Sequence, residues 1–139
     1  MTTHVLVPMD GSQAAERAFE YAMELYPDAD ITVLHVVDSS AASEKTGLAY
    51  DEAVQRGLEE RADEVFERAR DLAAEAGFDG AVRTETGIGS PARSIVDNAE
   101  DADAVVMGSQ GRTGAARVLL GSVAETVVRE APIPVTVVR

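Results

Sequence analysis

Two stretches of the 139-residue chain carry residue types that could do chemistry. The first is Gly108-Ser109-Gln110-Gly111-Arg112-Thr113-Gly114, continuing to Gly121-Ser122. Glycines at 108, 111 and 114 let backbone N–H groups turn toward a bound anion with no side chain in the way. Ser122-Val123-Ala124-Glu125 has the S-x-x-E pattern of a capping box, so Ser122 begins a helix. Gly121 stands just before it and leaves the positive end of that helix open to a phosphate. Arg112 and Arg117 bracket the loop in a chain otherwise dominated by acid, and the planar guanidinium suits phosphate oxygens. A flexible turn plus an ordinary cap accounts for one glycine, but not for three glycines, a cap and two arginines together. The second stretch is Asp10-Gly11-Ser12. Its carboxylate follows a buried run and must stay at the mouth of any cleft to avoid a costly desolvation. Asp10 can accept hydrogen bonds from a ribose or base edge, or it can cap a helix beside Ser12. If the strands before these two stretches are neighbours, Asp10 faces the glycine loop across one cleft.

Other constellations carry less. Gly87-Ile88-Gly89-Ser90-Pro91-Ala92 spells G-x-G-x-x-A, but Ser90-Pro91 already explains it as a turn and a helix start. The sole lysine, Lys45, follows Glu44 and not Gly, so no Walker A loop exists. A receiver domain would need an Asp after strand three, where Thr84-Glu85-Thr86 stands, and a Lys after strand five. His4 and His35 lie in different strands without partner spacing and read as ordinary strand histidines. Zero cysteines exclude disulfides, thiolate metal sites and thiol nucleophiles. A Ser-His-Asp hydrolase lacks its G-x-S-x-G elbow. No catalytic residue and no metal ligand is assigned.

The elements that must position the two stretches are readable from period and punctuation. Val5-Leu6-Val7 is a buried strand, and Ser12 caps a helix through Ala15, Ala18, Ala22 and Leu25 that Pro27-Asp28 stops. Ile31 to Val37 is a second strand, and Ser39 to Gly47 a small, polar loop. Val54, Leu58, Ala62, Val65, Ala69, Leu72 and Ala76 mark a long helix closed by Gly77. Ala81 to Thr86 is a weaker strand, with Gly87-Ile88-Gly89 as a turn. Ser90-Pro91 opens a third helix that turns Ile95, Val96 and Ala99 inward. Asp103 to Gly108 is the fourth strand. A last helix through Val123, Val127 and Val128 stops at Pro132 and Pro134, before the fifth strand, Val135 to Val138. Unbroken alternation of strand and helix predicts right-handed βαβ units and a parallel sheet covered on both faces. In such sheets ligands bind beyond the carboxyl ends of the strands, where strand order reverses.

Composition sets the boundaries. A single domain over residues 1–139 suits 14.7 kDa and 45% hydrophobic residues. Twenty-five acidic residues against 12 basic ones give a net charge of −13, which repels phosphate backbones and anionic lipid. Nucleic acid and membrane are therefore not expected partners. No apolar run approaches a membrane span of roughly 20 residues, and the Met1-Thr2-Thr3 start leads straight into a strand. A cytoplasmic location is expected. Eleven of the 12 basic residues are arginine, which a GC-rich genome would favour. Acidity spread along the helices, at Glu16, Glu20, Glu24 and from Asp51 to Glu67, points instead to a salt-adapted cytosol.

Together these residues resemble the universal stress proteins. That family's nucleotide signature is G-x2-G-x9-G-[ST], and here Gly108, Gly111 and Gly121-Ser122 fall at that spacing. The resemblance extends to V-P-x-D-G-S (Val7 to Ser12), L-H-V-V-D (Leu34 to Asp38) and P-V-x-V-V (Pro134 to Val138). It implies an α/β fold: one doubly wound open sheet of five parallel strands, order 3-2-1-4-5, with four helices on both faces. It also implies ATP or a related adenine nucleotide, with or without Mg2+ or Mn2+. By position, Asp10 would bind the ribose, and Pro8 and Val36 would line the adenine. Met107 and Gly108 would pass under the ribose and α-phosphate, while Gly111, Arg112, Gly121, Ser122 and Val123 would cradle the phosphates. The last strand, Val135-Val138, would pair with its twin in a homodimer, and soluble proteins do avoid a bare apolar edge there.

Three functions fit. One is a stress-response protein that senses or sequesters nucleotide, with slow hydrolysis at most, since no general base stands beside the loop. Another is a ligand-free dimeric scaffold of the same fold, against which the intact glycine spacing argues. The third is an adenylating enzyme, which would need a second pocket that this chain has few residues to build.

Overall fold

The computed structural model describes residues 2–37, 52–109 and 120–139. The predicted loop from Ser39 to Gly47 and the residues Gly111, Arg112, Gly114 and Arg117 lie outside them. In chain order the described elements are β1 (His4–Pro8), α1 (Gln13–Leu25), β2 (Asp30–Val37), α2 (Glu52–Ala76) and β3 (Val82–Ile88). They continue with α3 (Pro91–Ala99), β4 (Ala104–Gly108), α4 (Ser122–Glu130) and β5 (Val135–Val138). All pairings are parallel and the order is β3-β2-β1-β4-β5, as the family resemblance implies.

Alternation along the strands divides the core in two. Val5, Val7, Ile31, Val33 and Val106 meet α1 and α2 through Phe19, Ala22, Val65, Phe66 and Ala69. Leu6, Leu34, Val105 and Met107 meet α3 and α4 through Ile95, Ala99, Ala124 and Val127. Both faces of the central strands are thus buried, which explains their continuous apolar runs. The chain winds outward from β1 to β3 under α1 and α2, then returns across the other face to β4 and β5. Strand order therefore reverses between β1 and β4.

Most boundaries fall within a residue of the sequence reading, and the largest difference among the strands is at the end of β3. Gly87 and Ile88, expected in a turn, extend β3 and pair with Val36 and Val37. The eight-residue β2 offers backbone partners beyond Thr86, and the ladder continues until the Gly89 N–H reaches the Val37 carbonyl at 2.9 Å. The chain turns at Gly89, where φ is 110°.

Candidate functional site

The switch between β1 and β4 opens into a cavity of about 260 Å³. Its floor is Pro8, Leu34, Val36 and Met107 at the carboxyl ends of β1, β2 and β4, with Pro91 and Ile95 of α3 as one wall. Pro8 sits opposite Leu34 in the ladder, so these apolar side chains form one continuous patch. Asp10, Ser12, Gly108, Ser109, Gly121, Ser122 and Val123 line the polar side. An apolar pocket with a few convergent polar groups at a topological switch point is the usual form of a small-molecule site.

The turn after β1 places Asp10. Gly11 adopts φ 85°, a left-handed conformation that costs glycine little, and it brings the chain back toward α1. The Asp10 Oδ1 accepts from the Ser12 N–H at 3.0 Å, while the Ser12 hydroxyl accepts from the Ala15 N–H at 3.1 Å. Asp10 thus closes the turn and lines the cavity, while the cap of α1 is Ser12 and not Asp10.

Three helices begin at this cavity, and their ends are not equivalent. Ser12 caps α1, and Ser90 caps α3 by accepting from the Arg93 N–H at 3.5 Å. At α4 the N-cap is Gly121, with no side-chain hydrogen bond. The helix begins at Ser122 as expected, but the capping box does not close. Ser122 already has helical geometry, its carbonyl accepts from the Thr126 hydroxyl, and the Glu125 carboxylate pairs with Arg129 at 2.7 Å. With a glycine at the cap, the first-turn N–H groups of Ser122, Val123 and Ala124 have no acceptor within the helix.

The end of β4 is drawn close to both neighbours. A Cβ on Gly108 would lie 2.9 Å from the backbone carbonyl carbon of Ala14, so the missing side chain admits α1 against the strand. Clearance for a ligand is not the only reason for a glycine there. Ser109 is buried; its N–H donates to Val138 and its carbonyl accepts from the Gly121 N–H at 2.6 Å. That pair fixes the start of α4 beside β4.

Of the residues singled out in the sequence, Pro8, Asp10, Val36, Met107, Gly108, Gly121, Ser122 and Val123 all border this cavity. Gly111 and Arg112 fall outside the described residues. Leu34, Pro91, Ile95 and Ser109 border it too and were not foreseen. His4 and His35 are each held by hydrogen bonds within the fold, His4 to Asp101 and Thr32 and His35 to Met9. Among the described residues no three His, Asp or Glu side chains group as metal ligands, and no helix is long and apolar enough to cross a membrane.

The profile of the universal stress protein family matches residues 1–139. The chain belongs to that family. Among its relatives, a universal stress protein of Methanocaldococcus jannaschii is 38% identical over 141 residues, covering 97% of this chain and 81% of its own. The hypothetical protein MJ0577, solved as a structure-based assignment of biochemical function, superposes with a TM-score of 0.83 at 29% identity, covering 99% of this chain and 96% of that one. A universal stress protein in complex with cAMP has a TM-score of 0.72 at 23% identity, with 99% and 97% coverage. One from Archaeoglobus fulgidus in complex with dAMP has a TM-score of 0.70 at 22% identity, with 100% and 98% coverage. These two share the universal stress protein fold with the present chain, five parallel strands in the order 3-2-1-4-5 under four helices.

Proposed function

We propose that this universal stress protein holds ATP or a close adenine relative in the cavity between β1 and β4. The observation that carries the reading is the division of that one cavity. Pro8, Leu34, Val36, Ile95 and Met107 offer an apolar slot for a purine, and the cap-free start of α4 offers N–H groups to phosphate. Asp10 lines the same cavity, where a ribose hydroxyl would donate to its carboxylate. Gly121, Ser122 and Val123 take the phosphates, joined by Gly111 and Arg112 of the signature, and Met107 and Gly108 pass beneath the sugar. A helix N-terminus favours anions even in an acidic protein, because the local dipole and free N–H groups act at contact range. At about 260 Å³ the cavity lies just under the roughly 300 Å³ at which small-molecule pockets begin, so it would take the nucleoside part, with the phosphates outside it at the start of α4. Any accompanying Mg2+ or Mn2+ would be carried by the phosphates.

The role is one of sensing or sequestering nucleotide under stress, in a cytoplasmic, salt-adapted homodimer joined through β5. The test is mass spectrometry of small molecules released from freshly purified, gently denatured protein. An adenine nucleotide at near-stoichiometric yield is expected. Release of none, together with calorimetry silent for ATP, ADP and AMP, would overturn the reading and leave a ligand-free scaffold.

A further inference from the structure

His35 has no part in the nucleotide reading, and its side chain cannot touch a ligand in the cavity. Alternation along β2 puts it with Ile31 and Val33 on the side of α1 and α2, whereas Leu34 and Val36 face the cavity. The ring is 6% exposed. Its Nδ1 lies 3.0 Å from the Met9 carbonyl oxygen. That oxygen can only accept, so Nδ1 carries the proton and donates. Phe66 of α2 meets the imidazole edge to face, with centroids 6.3 Å apart and an interplanar angle of 87°, which fixes the plane of the ring.

The Met9 carbonyl belongs to the peptide that leads into Asp10. The Met9 N–H donates to the Leu34 carbonyl at 2.9 Å. Met9 is therefore held to β2 at both backbone groups, once by the ladder and once by the His35 ring. We propose that His35 is a positioning residue for the nucleotide site, clamping the Met9–Asp10 peptide from the opposite face so that the Asp10 carboxylate points into the cavity. Only the identity of what Asp10 grips rests on the nucleotide reading; the clamp itself does not.

Two measurements test this. The first is amide hydrogen exchange at Ser12, whose N–H donates to Asp10, in protein free of nucleotide. His35→Asn places an amide donor where Nδ1 was, and His35→Phe fills the space without one. Losing a clamp worth one hydrogen bond should speed Ser12 exchange about tenfold in His35→Phe, relative to core amides such as Ile31. His35→Asn should stay close to wild type. If His35→Phe does not fold, His35→Leu, which is smaller and also lacks a donor, replaces it. Unchanged Ser12 exchange in the donor-free variant, or equal acceleration in His35→Asn, overturns the proposal. The second measurement is calorimetry with ATP and with inorganic tripolyphosphate. The donor-free variant should bind ATP about tenfold more weakly and tripolyphosphate as wild type does, with ATP affinity rescued in His35→Asn. Equal weakening of both probes, or of neither, overturns it. Wild-type protein that binds no ATP refutes the nucleotide reading, and the exchange result still decides the clamp.

Discussion

Asp103 gathers three donors on one carboxylate oxygen: the Thr3 N–H at 3.0 Å, the Thr3 hydroxyl at 2.9 Å and the His4 N–H at 2.9 Å. It ties the entry of β1 to the entry of β4, at the end of the sheet away from the cavity. Hydrogen bonding, led by the Thr3 backbone N–H, holds its carboxyl below the ordinary aspartate value. The unfolded chain then binds this proton more readily than the folded one, so the contribution to stability is present above the ordinary aspartate range. It is lost as pH falls through the depressed folded value. Asp103→Asn should therefore be less stable at neutral pH, with a shallower loss of stability on acidification. Denaturant midpoints followed by circular dichroism at several acid pH values read this directly, and parallel pH profiles for the two proteins would remove Asp103 from the acid response. At this scale the candidate cavity residues were legible where a motif named them, as for Asp10 and Gly121. Leu34 was legible too, since it stands two residues before Val36 and must share its face. Ser109 was not. Its burial depends on backbone bonds to Val138 and Gly121, contacts between distant parts of the chain that no local pattern announces.

Among the elements, the two edges of the sheet are unlike. β3 exposes Arg83 and Glu85, charges of the kind that discourage edge pairing, and Arg83 also reaches Asp30 at 3.5 Å. β5 is Val135-Thr136-Val137-Val138, uncharged and half-buried throughout. The carbonyls of Pro134 and Val138 accept from Val105 and Ser109. Alternate residues of β5 thus turn their backbone groups to β4, and Val135 and Val137 turn theirs to the open edge. Val137→Pro removes an outward N–H without taking a donor from the β4 ladder, and edge strands tolerate proline. On the proposal that the wild type is a homodimer joined through β5, sedimentation of this variant should show a folded monomer; a dimer in both proteins would put the interface elsewhere, and a monomeric wild type would overturn the dimer proposal. Hydrophobic period located each helix and strand among the described residues because each has a face or a run to bury. It failed at ends, where the deciding contact is a neighbour. Gly87 and Ile88 follow β2 and not their turn-like composition. Glu125 takes Arg129 one turn along the helix and not the Ser122 cap.

At the level of the whole molecule, handedness of the crossovers fixes the layers but not the strand order, since five apolar strands look alike when read singly. The order came from resemblance to a family, and only the charges on β3 hint locally at an edge. Net charge, by contrast, is plain in the sequence, and the fold shows where it acts. α2 turns Glu59, Glu60, Asp63, Glu64 and Glu67 to solvent along one helix, while Ala62, Val65, Phe66 and Ala69 hold its other face to the sheet. Arg68 bridges to Glu16 of α1 at 3.2 Å, but an exposed pair of this kind contributes little and offsets few of the like charges. A chain at −13 therefore folds against its own repulsion in dilute buffer. At about 1 M salt the Debye length falls to about 3 Å, shorter than the spacing of these carboxylates along the helix. The melting temperature should accordingly rise steeply with KCl up to about 1 M as screening removes that repulsion. A further climb at higher KCl would show salt acting through hydration of the carboxylates beyond screening, because little electrostatic repulsion then remains to relieve. A flat response across the whole range would refute salt adaptation and leave codon usage as the account of eleven arginines and one lysine.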